Sequence, residues 1–89
     1  MINASREGDL KQVQDLLDKE ADVDAKDNSG VMALMVASVM GRIEIVKLLL
    51  EKEADVNIKS KDGDTALMAA SQKGHTKIAE LLKASGAKE

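Results

Sequence analysis

The sequence predicts an all-α solenoid of stacked helix pairs joined by β-turn or hairpin-like loops, and three observations lead to it. Segments recur every 33 residues, apolar side chains within them fall at helical spacing, and the apolar set contains no aromatic residue. At 89 residues the chain is long enough for one domain. A globule of that size buries only about 60–65% of its unfolded surface, so a conventional core would be marginal. Cysteine is absent, which removes disulfides and thiolate metal sites as sources of stability. A core made of Leu, Ile, Val, Met and Ala suits thin layers of close-packed helices better than one thick centre.

The repeat sets the boundaries. Ala21-Asp22-Val23 returns as Ala54-Asp55-Val56, Ala33-Leu34-Met35 as Ala66-Leu67-Met68, and Gly8 as Gly41 and Gly74. Each unit reads as a helix pair with the glycine ending the first helix. Residues 33–40 and 66–73 are expected as first helices, and 10–18, 43–51 and 76–84 as second helices. The turns fall at Asp27-Asn28-Ser29-Gly30 and Ser60-Lys61-Asp62-Gly63, where Asn and Asp bond their own backbone and Gly tolerates positive φ. The units become a partial N-terminal capping repeat over 1–26, a full middle repeat over 27–59 and a C-terminal capping repeat over 60–89.

The second helices show which way the stack faces. One stripe reads Leu10, Val13, Leu17, then Ile43, Val46, Leu50, then Thr76, Ala79, Lys83, and so turns polar toward the C-terminus. The other reads Gln12 and Asp15, then Ile45 and Leu48, then Ile78 and Leu81, and is polar at the N-terminus. A helix covered on both sides is apolar nearly all round, whereas an outer helix keeps a polar flank. Leu50 is therefore expected to be buried and Lys83 exposed, in a stack with two finished ends that forms a complete domain. The first unit begins with its first helix already under way, so that helix is expected to fray.

Charge narrows the function. The formal net charge is -3, and both signs are interspersed along the chain, so no basic footprint for nucleic acid is present. The opening residues Met1 to Arg6 lack a signal-peptide pattern, and no stretch approaches the roughly 20 apolar residues needed to cross a bilayer. The expectation is a soluble cytoplasmic protein without membrane contact.

These residues resemble the ankyrin repeat family over essentially the whole chain, in about two and a half units. The family pattern Asp-x-x-Gly-x-Thr-Pro-Leu-His is similar to residues 27–35 and, with Ser60 for Asp, to 60–68. Its Gly-His step matches Gly74-His75, and its closing Gly-Ala-Asp-Val-Asn resembles Glu53-Ala54-Asp55-Val56-Asn57 and, more loosely, Glu20-Ala21-Asp22-Val23-Asp24. The departures carry physical consequences. Ala33 and Ala66 replace a helix-starting Pro, and Met35 and Met68 replace a hydrogen-bonding His. Met32 replaces a Thr N-cap at a cost of about 1 kcal/mol, which should soften the turn of the middle unit. Glu20 and Glu53 stand where the family places a left-handed Gly, a misfit of about 1 kcal/mol each. The alternative for Glu20 and Glu53 is a carboxylate pair for a cation, disfavoured because stacked units hold equivalent groups about 10 Å apart.

No enzyme chemistry emerges. There is no nucleophile with a base, no metal cluster and no phosphate loop, so neither a cofactor nor a metal is expected. His75 is the only histidine and falls in the structural Gly-His step. What the resemblance implies is a non-catalytic module that binds a protein partner through its concave face and turn tips. The implied contact positions are Arg6 and Glu7; Asn28, Ser29, Val31, Val39 and Met40; and Lys61, Asp62, Asp64, Gln72 and Lys73. Val31, Val39 and Met40 form an apolar centre where the outer units offer charged or polar residues, which is the anatomy of a protein interface. The alternative for Val39 and Met40 is a place in the core under the turn. For the whole chain the alternative is a structural or engineered repeat scaffold with no natural partner, either monomeric or a weak homo-oligomer.

Overall fold

The computed structural model describes residues 1–19 and 22–87. Among them are six helices: α1 (Ile2–Glu7), α2 (Leu10–Asp18), α3 (Ala33–Met40), α4 (Ile43–Glu51), α5 (Ala66–Gln72) and α6 (Thr76–Ala84). Their starts and stops follow local chemistry. Asp9 caps α2 by accepting a hydrogen bond from the Gln12 N–H at 3.0 Å, and Gly41 ends α3 in the left-handed conformation at φ 75. The expected first helix over 66–73 stops one residue early. There the last turn tightens, and the Gly74 N–H reaches back only three residues to the Ser71 carbonyl.

Two rows of helices result. The first helices α1, α3 and α5 pack side by side, as do the second helices α2, α4 and α6, and each first helix packs on its own second helix. Between the rows lies one aliphatic core, in which Val13, Met32, Leu34, Ile45, Val46, Leu49, Ile78 and Leu82 are enclosed. Gln12 and Asp15 at one end and Thr76 and Lys83 at the other are exposed, which is the polarity gradient expected of the stack. Two positions differ from expectation. Leu50 is half-buried at the rim of the core, because Ile45, Val46, Leu48 and Leu49 take the enclosed face of α4. Leu10, the first residue of α2, is 41% exposed despite lying on the same stripe as Val13. The opening helix α1 is formed, with Ala4 and Ser5 buried against the stack.

The turn of the middle unit keeps side-chain hydrogen bonds although its helix has lost the cap. Met32 makes no capping hydrogen bond, and its side chain is instead enclosed in the core. Asp27 holds the turn, its carboxylate accepting from Ser29 N–H at 2.8 Å and Val31 N–H at 3.0 Å. In the third unit Thr65 keeps the cap, accepting from Met68 N–H at 3.2 Å. No helix among the described residues is long and apolar enough to cross a membrane.

Glu53 adopts φ 63, the left-handed region in which a Cβ is strained. The backbone there forms a Schellman closure: Glu53 N–H donates to the Leu50 carbonyl and Ala54 N–H to the Leu49 carbonyl. Gly86 occupies the same place one unit on at φ 98, with the matching bonds to Lys83 and Leu82. Glu20, the first-unit counterpart, lies outside the described residues. Because the Glu53 side chain is exposed and makes no hydrogen bond or ion pair among the described residues, Glu53→Gly is expected to raise stability by about 0.5–1 kcal/mol. Urea denaturation checks this, and an unchanged or lowered midpoint would contradict the strain.

Candidate functional site

The units are tied at repeated places along their seams. Arg42 lies over Gly8 and donates from Nε and Nη2 to the Arg6 carbonyl at 3.3 and 3.1 Å. One unit on, His75 lies over Gly41, and its Nε2 bonds the Val39 carbonyl at 3.2 Å. Two unlike side chains thus make one tie, each closing the end of the preceding first helix where a carbonyl lacks an intrahelical partner. At the opposite end of the units the turn tips are joined by Lys61 N–H donating to the Ser29 carbonyl at 3.0 Å. A third tie runs from Asp55 N–H to the Asp24 carboxylate at 2.9 Å.

Between these ties the face made by first helices and turns is notched. One recess of about 390 Å³ lies between the first and second units, and its lining is mixed, with Met1, Ile2 and Val23 beside Asn3, Arg6 and Asp27. A second, of about 270 Å³, lies between the second and third units. Its apolar lining is Val31, Met35, Val36, Val39 and Ala69, and Arg6, Asp62 and Asp64 stand around it.

The positions expected from sequence therefore separate into groups. The second notch brings together Arg6, Val31, Val39, Asp62 and Asp64 from all three units. Asn28, Ser29 and Lys61 are exposed on the turn tips, outside the notch. Glu7, Met40, Gln72 and Lys73 lie at the far ends of the first helices, also exposed and also outside it. Val39 is half-buried and Met40 is 45% exposed; neither belongs to the core cluster, whereas Val31 packs against its edge. Met35, Val36 and Ala69 line the notch but read in the sequence only as core or helix positions. Arg42 was equally hidden, since a basic residue beside a helix start resembles an ordinary solvated charge.

Among the described residues no group of three or more His, Cys, Asp and Glu could hold a metal ion. The arrangement can do what a notched, rigid surface does: bury side chains of another molecule.

Stacked helix pairs joined by turns, with a notched face between them, define a helical repeat protein. A family model described as ankyrin repeats (3 copies) matches residues 1–89, and the chain belongs to the ankyrin repeat family. Among solved structures it is similar to a chain of the complex titled Bd0816 predatory endopeptidase from Bdellovibrio bacteriovorus with immunity protein Bd3460. The two share 37% identity and superpose with a TM-score of 0.91 over 97% of this chain and 45% of that one. This chain thus spans less than half of the length of that solved relative. Matches extend to 421 solved chains, so the architecture is widely shared and does not single out a partner. No curated protein sequence matches significantly.

Proposed function

We propose that the chain is a non-catalytic module that binds a protein partner through its notched, concave face, with the turn tips contributing at the rim. Ankyrin repeats are an interaction architecture, and the similar solved chain comes from a complex of two proteins. The observation that supports this reading best is the second notch, where half-buried Val31 and Val39 open beside Arg6, Asp62 and Asp64, over a floor formed by buried Met35 and Val36. A water-facing recess gains nothing from apolar lining unless something covers it. The units at 1–26, 27–59 and 60–89 act together here, since each lends a residue to the notch.

Changing Val39 to Ser and Met40 to Gln together is expected to weaken partner binding by at least about 1–2 kcal/mol, or roughly 5- to 30-fold. Thermal unfolding should move little, because Met40 is largely exposed and Val39 lies outside the core cluster. Both are measured on one variant, by melting and by retention of the partner on the immobilised protein. Light scattering of the same samples tells a second copy from a foreign partner. A destabilisation as large as a core truncation would return the pair to the core and overturn the reading.

A further inference from the structure

The second notch has two carboxylates that the fold does not use. The aspartates of the neighbouring loops are all engaged: those of Asp22, Asp24, Asp27 and Asp55 each accept at least one backbone N–H. Asp62 and Asp64 accept none from the described residues, and both are exposed at the notch. Neither is ion-paired, since the salt bridge present among the described residues joins Lys47 and Glu44 on α4. Nor are these carboxylates a feature of the repeat, because Ser29 and Val31 hold the equivalent places one unit earlier. Arg6, from the first unit, is the one basic residue lining this notch.

Size narrows the ligand further. A cavity of about 150 Å³ accommodates a benzene, and drug-sized ligands occupy about 300–1,000 Å³. At about 270 Å³ the notch suits one long side chain and part of its neighbour. An aliphatic group entering it covers Met35, Val36 and Val39, while an adjoining cation meets Asp62 and Asp64 partly shielded from water. An acidic neighbour on that side would meet two like charges.

Resting on the reading that this face binds a protein, we infer that the notch selects a partner segment in which an aliphatic side chain adjoins a lysine or arginine. The basic residue lies on the side of the third unit and the aliphatic one over α3.

Selection of phage-displayed random dodecapeptides on the immobilised protein tests this. The expected survivors carry Leu, Ile, Val or Met beside Lys or Arg. The best of them, synthesised, should bind about tenfold or more weakly to the Asp62→Asn, Asp64→Asn double variant. Its affinity for the unaltered protein should also fall between about 50 and about 300 mM salt. Melting of the double variant, expected unchanged, confirms that it folds, and the Asp→Glu pair should restore binding. Survivors that lack basic residues and ignore the Asn variant, yet lose binding with Val39→Ser, overturn this specificity and leave the concave face standing. Survivors indifferent to both variants overturn both readings. Absence of any survivor overturns the linear segment alone, since the Val39 and Met40 variant still decides the face against a folded partner. Self-association of the protein that the Asn variant abolishes would make the occupant a second copy, against the foreign segment inferred here.

Discussion

Truncating Leu49 to alanine is expected to cost about 2–5 kcal/mol, enough to leave much of a domain this small unfolded at room temperature. Leu49 is 0% exposed in the last turn of α4, the helix covered on both sides by α2 and α6. Its removal leaves a cavity that neighbours on two sides cannot both collapse to fill. Leu50→Ala should cost distinctly less, because that side chain reaches only the rim of the core. Lys83→Ala, at the equivalent place on the exposed flank of α6, should stay within about 0.5 kcal/mol. Urea midpoints of the three variants, compared at constant m, rank them. Equal losses at Leu49 and Leu50 would mean that α4 is rotated relative to the arrangement described.

Gly41→Ala is the next most damaging change, with an expected loss of about 2–3 kcal/mol. About 1–2 kcal/mol comes from forcing a Cβ onto a residue at φ 75. The rest comes from crowding, since that Cβ would sit 2.8 Å from His75 Cε1. The ring must then move and give up its bond to the Val39 carbonyl, worth about 0.5–1.5 kcal/mol. Gly74 provides the control, for it has nearly the same φ, 74, and nothing within 4 Å of its would-be Cβ. Gly74→Ala should show the backbone strain alone. A double-mutant cycle with His75→Ala isolates the crowding term, and full additivity of Gly41→Ala and His75→Ala would show that the two do not touch in solution.

Most of the fold was legible because the 33-residue period lets one unit interpret another. Glu53 could be assigned a left-handed backbone because the resembled family places Gly there, and Gly86 holds the same place a unit later. The direction of the stack followed from stripes whose character changes from unit to unit. The same comparison hid what does not change. Leu16, Leu49 and Leu82 are leucine throughout, so attention to differing positions passed over Leu49 and Leu82, two of the most enclosed side chains, in favour of Leu50. The notch was half legible. Val31 and Val39 stood out as apolar exceptions to the repeat, and Asp62 and Asp64 as implied contact positions, but Met35, Val36 and Ala69 look like helix interior until their neighbours are placed. Arg42 acts on a carbonyl 36 residues away, a distance at which no local pattern reports.

The two hydrogen bonds that bracket the second notch make it a frame of fixed aperture. Lys61 and Ser29 hold the seam at the turn tips, and His75 and Val39 hold it at the far end of the helices. A side chain seated between them does not have to prise the two units apart, nor does its departure let them close. The cost of shaping the recess is met during folding, so an incoming segment gives up its own freedom but little of the host's. Neighbouring units that touch only each other would otherwise flex at every seam. Loosening either bracket should therefore leave the lining residues in place while letting the aperture fluctuate, and the signature would be faster release of the bound segment rather than slower capture.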